Sequence, residues 1–121
     1  MFKAINPDDI VAAYGGTYNQ GVEVPAGART LYVSGQVGMA KDGSVPEGIE
    51  AQSELLWTNI AAILRDAGMG IPNIVKMNAY ITDMANFPAF AAVRKRHLAG
   101  HKPASTAVAV AGLVEKFLVE V

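Results

Sequence analysis

The chain has 121 residues, the size of one domain; 51% are hydrophobic and the formal net charge is −1. It contains no cysteine, which excludes disulfides, thiolate metal sites and a cysteine nucleophile. The near-neutral charge gives no general attraction to nucleic acid or anionic membranes, and no apolar run approaches the ~20 residues of a membrane span. We therefore expect one domain over residues 1–121, in the cytoplasm, with neither a membrane nor a nucleic-acid partner.

The N-terminal part of the chain predicts a short helical turn followed by a hairpin. A cap at Asn6–Pro7 precedes the predicted turn at residues 10–12. Alternating residues then predict strands at Tyr18–Val24 and Thr30–Ser34. The Pro- and Gly-containing turn at residues 25–28 separates them, so we expect the two strands to pair.

The longest predicted helix follows a loop and begins at Pro46 and Glu47. Gly68 and Gly70 end it. Its apolar residues recur at helical spacing and predict one buried face: Ile49, Leu56, Ile60, Ile63, Leu64 and Ala67.

The C-terminal part predicts a strand, a helix and two closing strands. The strands are expected at Ile74–Thr82, Thr106–Ala111 and Phe117–Val121, and the helix begins at Asn86. One side of this helix carries several large side chains and one cation: Phe87, Phe90, Ala91, Arg94 and Leu98.

This order of elements predicts an α+β fold, with a mixed sheet and two helices on one face. Two helices cover only one face of such a sheet, and the other face also carries apolar residues. Because an exposed apolar face of that size favours self-association, we expect a homo-oligomer.

Five pieces of the chain, in this order, resemble the RidA/YjgF family of small trimeric proteins. They are Gly16–Gln20, the strand and Ser-Gly break at Leu31–Gly38, Tyr80–Met84, Lys102–Thr106 and the late Glu120. The resemblance covers nearly the whole chain. It implies a chorismate-mutase-like subunit, a homotrimer with ligand clefts between neighbouring chains, and hydrolysis of reactive enamines or imines. The scattered glycines form no phosphate-binding or dinucleotide motif, so no cofactor is expected.

Glu120 is the candidate catalytic residue because it lies within an otherwise apolar strand. A carboxylate there must be paired, hydrogen bonded or raised in pKa, and a general base needs a raised pKa, although a frayed terminus would also explain the position. The resemblance implies that this acid activates water. It also implies that Tyr18 supplies a ring and a hydroxyl, Ser34 a hydroxyl and the Gly35 region a backbone donor.

The chain departs from the family pattern at Ser105, where deaminating members carry an arginine that clamps the substrate carboxylate. Losing one partner of a desolvated charge pair costs roughly 2–5 kcal/mol, so we expect inefficient hydrolysis of small 2-imino acids. The neighbouring cleft positions Ala107 and Ala91 are small as well. Either the ligand is more apolar and lacks a carboxylate, or a cation such as Arg29 or Lys102 enters from elsewhere, or catalysis has been lost.

Two function classes follow for this cleft: an enamine or imine hydrolase with an atypical substrate, or a trimer that binds a small metabolite or regulates a partner without turnover. Two other signals carry less weight. His97 and His101 lie four residues apart, but Gly100 intervenes and no third ligand is evident, so no metal is expected. The basic residues from 94 to 102 indicate a solvated helix end rather than an RNA site, because no aromatic residues interleave with them.

Overall fold

The computed structural model describes residues 2–121, and it begins with a small antiparallel sheet that the sequence did not predict. β1 (Lys3–Ile5) pairs with β2 (Gly21–Glu23), Ala4 lying opposite Val22. The expected hairpin between Tyr18–Val24 and Thr30–Ser34 is therefore wrong. The turn itself forms, since Ala28 N donates to the Pro25 carbonyl at 3.4 Å, but the two arms separate beyond it.

Residues 24–35, which we call the extended segment, belong to no sheet within the chain. All of them are exposed, including Tyr32 at 91% and Val33 at 39%. The β-branched and aromatic pattern correctly indicates extended backbone, but it says nothing about which strand pairs with it. The segment ends where Gln36 and Val121 exchange two backbone hydrogen bonds, of 2.8 and 3.0 Å.

The rest of the chain forms a second layer, which we call the core layer. Its elements are α1 (Ile49–Asp66), β3 (Lys76–Ile81), α2 (Phe87–Leu98), β4 (Ala104–Ala109) and β5 (Val119–Glu120). The strands lie in the order β4-β3-β5, with β3 parallel to β4 and antiparallel to β5. The predicted α+β class with a mixed sheet is confirmed, and each predicted helix and strand of this layer exists. α1, β3 and β5 are shorter than predicted, and β4 lies two residues earlier than the predicted Thr106–Ala111.

The core lies between the two helices and one face of this sheet. β3 alternates strictly, with Met77, Ala79 and Ile81 buried and the residues between them exposed. These three side chains share one cluster with Leu56 of α1 and Phe90 of α2, both fully buried. Both helices therefore cover the same face of the sheet, as predicted, and leave the opposite face open within a single chain.

Two element boundaries differ from the prediction for local reasons. Residues 10–12 form no helix, and a 3₁₀ turn occupies Tyr14–Gly16 instead, since one isolated turn does not repay the cost of helix nucleation. α1 starts at Ile49 rather than Pro46, because Gly48 has φ = +90°, a conformation outside the right-handed helix that favours glycine. Neither helix among residues 2–121 is long and apolar enough to cross a membrane.

Candidate functional site

A cavity of about 400 Å³ lies between β4 and α2, and it contains three of the predicted ligand-binding residues. Ser105 lies opposite Met77 and Ala107 opposite Ala79, so both point to the helix-covered face of the sheet. Tyr18 lines the same cavity from the N-terminal part of the chain. The structure therefore brings these three positions together, although nothing in the geometry tests what they bind.

Tyr18 reaches this cavity because its neighbours tie the N-terminal part of the chain to the start of β4. Asn19 N donates to the Pro103 carbonyl at 3.1 Å, and Asn19 Nδ2 donates to the Lys102 carbonyl at 2.6 Å. Tyr18 Oη accepts a hydrogen bond from Tyr14 N at 3.1 Å. This bond fixes the position of the phenol relative to the 3₁₀ turn.

Glu120 lies on the other face of the sheet. It pairs with Tyr80, whose side chain is 36% exposed, whereas the preceding Val119 pairs with Ile81 and is fully buried. Successive side chains of a strand point to opposite faces, so the Glu120 carboxylate points away from the helices. Glu120 is half-buried, and no hydrogen-bond donor or cation among residues 2–121 is bonded to its carboxylate.

Gly35 lies directly against the Glu120 side chain. A Cβ atom built on Gly35 would lie 2.8 Å from Glu120 Cδ, a distance that real contacts do not show. Position 35 therefore admits only glycine while the carboxylate keeps its place. The sequence pointed to this glycine as a backbone donor, and the structure gives it a second role, which is to leave room for the acid.

Ser34 lies beside this pair at the exposed end of the extended segment. Its carbonyl accepts a hydrogen bond from Gln36 Nε2 at 3.1 Å, and its hydroxyl has no bonded partner among residues 2–121. Gly35 therefore lies against Glu120, with Ser34 next to it in the chain, while Tyr18, Ser105 and Ala107 lie in the cavity. Within one chain the predicted site residues form two groups on opposite faces of the sheet.

The two cations suggested as replacements for the missing arginine occupy different places. Arg29 Nη2 donates to the Ala67 carbonyl at 3.3 Å, at the C-terminal end of α1, and it does not line the cavity. Lys102 lines a second cavity, of about 310 Å³, which adjoins the first. The residue that the sequence reasoning missed is Arg94, which lines both cavities.

Arg94 is half-buried beside two aromatic rings. Its guanidinium carbon lies 5.5 Å from the ring centroids of both Phe87 and Phe90, within the range of a cation–π contact. Burial lowers the pKa of Arg94 below its ordinary value, although a guanidinium remains charged at neutral pH. The signal for this residue was visible in the sequence, because it is the one cation on the apolar face of α2.

Two other basic residues of α2, Arg96 and His97, have partners outside the cavities. Glu54 of α1 accepts hydrogen bonds from Arg96 and from His97 Nε2, the latter at 2.7 Å. These bonds hold the pKa of Glu54 below its usual range, and the His97 bond has the larger effect. His101 Nε2 lies 2.7 Å from the Ile74 carbonyl, so the two histidines have separate partners.

Comparison with known proteins defines the class of protein. Residues 10–121 match the family described as Endoribonuclease L-PSP, so the chain belongs to that family, which includes the RidA/YjgF proteins. A goat protein named 2-iminobutanoate/2-iminopropanoate deaminase is 37% identical over 108 residues, covering 88% of this chain and 77% of the relative. The mouse protein of the same name is 34% identical over 121 residues, covering 98% and 87%.

Other relatives extend the comparison. The yeast protein named MMF1, mitochondrial is 38% identical over 84 residues, 69% of this chain and 58% of that protein. Among solved structures, the Rid-family protein YyfB from Yersinia pestis has a TM-score of 0.85 at 26% identity, covering 98% of this chain and 93% of the other. RidA from an Antarctic Psychrobacter has a TM-score of 0.74 at 37% identity, covering 98% and 94%.

Proposed function

We propose that this protein hydrolyses the C=N bond of a small imine, or of the enamine from which the imine forms. Water adds to the imine carbon and gives a carbinolamine, the C–N bond then breaks, and ammonia leaves a carbonyl product behind. Glu120 passes a proton from the attacking water to the imine nitrogen, and it then passes the proton of the carbinolamine hydroxyl to the same nitrogen as the C–N bond breaks. The names of the goat and mouse relatives support this reaction class.

The observation that carries the proposal is the contact between Glu120 and Gly35. Glu120 lies on an apolar strand next to Gly35, and no cation or donor is bonded to it within residues 2–121. Its carboxylate is therefore free to bind a ligand or water. Ser34 borders the same place and offers a hydroxyl to the reacting molecule.

We propose further that the working site is completed between chains of a homotrimer. The two groups of site residues lie on opposite faces of one sheet, so only a second chain brings a Glu120 together with a Ser105. The exposed apolar side chains of the extended segment also favour association. A cytoplasmic location is part of this proposal, whereas MMF1 is by its name a mitochondrial protein.

The substrate is proposed to differ from the small 2-imino acids named for the relatives, or else a cation elsewhere in the cleft binds its carboxylate in place of the missing arginine. Ser105 is neutral and donates through one hydroxyl, so it cannot bind a carboxylate in the two-pronged manner of a guanidinium. The second candidate function, a trimer that binds a metabolite or regulates a partner without turnover, is favoured by this same residue. Binding without product would support it.

RNA cleavage is not proposed, although the family description names an endoribonuclease. Arg96 and His97 bind Glu54, and Arg94 lies against two phenylalanine rings. Arg96 and His97 are therefore engaged within the fold and do not contribute to a continuous cationic groove that could follow a phosphate backbone.

Ammonia release tests the proposal directly. Imines are generated in situ from several amino acids by an amino-acid oxidase, and the rate above spontaneous hydrolysis is measured. Glu120→Gln is expected to lower this rate by about 10²–10⁴-fold, the usual contribution of a general acid–base. Glu47→Gln, which neutralises an exposed carboxylate before α1, is the matched control and should retain full activity.

A glycine pair gives an independent test of the same site. Gly35→Ala should reduce ammonia release because the new methyl group displaces the Glu120 carboxylate. Gly112→Ala should leave the rate unchanged, since nothing lies within 4 Å of a Cβ atom at that position. Equal rates for wild type, Glu120→Gln and Gly35→Ala would contradict the assigned role of Glu120.

A further inference from the structure

We propose that Arg94 is the anion-binding residue of the cavity between β4 and α2, and that it takes the carboxylate of the substrate from the helix side. This inference rests on the proposed function for the reaction itself, and it adds the residue that binds the substrate carboxylate in place of the arginine absent at position 105. The ligand is an imino acid whose carboxylate lies at Arg94 and whose apolar side chain occupies the rest of the cavity.

The charge distribution around the two adjoining cavities supports an anionic ligand. Arg94 lines both cavities, and Lys95, His101 and Lys102 line the second one. No aspartate or glutamate lines either cavity in the described part of the chain, although the whole protein carries a net charge of −1. A partly enclosed region with cations and no acids attracts an anion.

The surroundings of Arg94 position its guanidinium without using its hydrogen-bond donors. Along α2, Phe90 lies three residues after Phe87, and Arg94 lies four residues after Phe90. Both rings lie 5.5 Å from the guanidinium carbon. Contacts with ring faces restrain the side chain, whereas the five N–H groups have no bonded acceptor among residues 2–121. A carboxylate can therefore accept two parallel hydrogen bonds from this group.

The apolar part of the cavity defines the rest of the ligand. Met77, Leu98 and Pro103 line it with Phe87, and Ala91 and Ala107 leave space on α2 and β4. A cavity of about 400 Å³ with one cation and mostly apolar walls suits a monocarboxylate with an aliphatic side chain.

Arg94 also gives a physical reason for the departure at Ser105. The two residues line the same cavity, one from α2 and one from β4. A second guanidinium at position 105 would place two like charges in a partly desolvated space, which is unfavourable. The small neutral serine is compatible with Arg94, so the cation has moved from the strand to the helix instead of being lost.

Equilibrium binding tests this inference without requiring turnover. The probes are 2-oxobutanoate and 4-methyl-2-oxopentanoate, which are stable carbonyl products, with butanone as an uncharged reference, and titration calorimetry gives Kd. Arg94→Gln is expected to weaken binding of both oxo acids by about tenfold or more, because a partly desolvated charge partner is removed. Arg94→Lys should recover part of the affinity, since the charge stays but the planar fork is lost.

The matched control is Arg96→Gln. It removes a guanidinium two residues after Arg94, from a side chain that binds Glu54. It should leave Kd for both oxo acids within about twofold, as expected for an exposed charge. Placing Ser105→Arg in the Arg94→Gln background returns a cation to the cavity and should restore oxo-acid binding.

The outcomes separate this inference from the proposed function. Equal oxo-acid affinity in wild type and Arg94→Gln, or no oxo-acid binding by wild type, overturns the role of Arg94. Equal weakening of butanone and oxo-acid binding by Arg94→Gln also overturns it, because the residue would then shape the cavity rather than bind charge. Tight binding that depends on Arg94, with no ammonia release from any imine, supports this inference while contradicting the proposed hydrolase.

Discussion

The core layer and the extended segment contain similar proportions of apolar residues but bury them to very different extents. In the core layer, Leu56, Phe90 and Val119 are fully buried between two helices and a sheet. In the extended segment, Leu31 and Val33 remain 37% and 39% exposed. The core layer buries its own apolar residues, whereas we expect those of the extended segment to be covered by a second chain.

This contrast explains how the site is divided. Ser105 and Ala107 lie in a cavity that the core layer forms together with the N-terminal part of the chain, and Arg94 lines it from α2. Ser34 and Gly35 lie at the end of the extended segment, next to Glu120 on the open face. We therefore expect ligand binding in the cavity to need only the single chain, and chemistry at Glu120 to depend on assembly.

The largest expected effect is loss of assembly on introducing a charge into the extended segment. Val33→Asp should convert a particle of three chain masses into one of 12.7 kDa at micromolar concentration, since a buried unpaired carboxylate opposes association. Analytical ultracentrifugation measures this change. Val114→Asp, at a loop valine that is 70% exposed, is the matched control and should leave the mass unchanged. A wild-type particle of 12.7 kDa would contradict the proposed trimer.

A smaller effect is expected from truncating one valine in the core layer. Val93 is 1% exposed, so Val93→Ala should lower the free energy of unfolding by about 2 kcal/mol, through two lost methyl groups and the cavity left behind. The same substitution at exposed Val114 should change it by less than about 0.5 kcal/mol. Urea unfolding measures both. Equal losses at the two positions would mean that the contrast in burial has no energetic counterpart.

The difference between the regions also decides what could be predicted from the sequence. The core layer was predicted to within a few residues because its signals are local: Leu56, Ile60 and Leu64 repeat at helical spacing, and Met77, Ala79 and Ile81 alternate. The pairing of the extended segment was predicted wrongly because a strand pattern does not specify which other strand it pairs with. β1 was missed for a related reason, since three exposed residues carry no periodic signal.

The site was predictable to the extent that its residues matched known motifs. Tyr18, Ser105 and Ala107 lie together, as the resemblance implied, and Gly35 lies against Glu120. The division of the site between two faces was not visible, because the sequence does not show to which face of the sheet the Glu120 side chain points. Arg94 was placed on the correct helix face but interpreted as part of a cationic helix end, a common reason for lysine and arginine at such positions.

The smallest effect concerns the ion pairs that join α1 to α2 within the core layer. Hydrogen bonds from His97, and to a lesser extent Arg96, hold the pKa of Glu54 below its ordinary value of 4.5. A carboxylate with a lowered pKa contributes stability that is present above the ordinary value and is lost as pH falls through the folded-state value. Glu54 and Arg96 are partly solvent-exposed, so the contribution is expected to be a few tenths of a kcal/mol, or about 0.3–0.5.

Glu54→Gln should therefore slightly lower the free energy of unfolding at pH 7 and flatten its decrease below pH 4.5. Glu115→Gln, at an exposed loop carboxyl, should leave the pH dependence as in wild type. Both variants are compared by urea unfolding at low and high salt, because screening weakens partly exposed pairs. If Glu54→Gln had the same pH dependence as wild type, α1 and α2 would be held together by their apolar contacts alone. The contrast would then be sharper between a layer stabilised by burial and a segment whose apolar residues are exposed in the single chain.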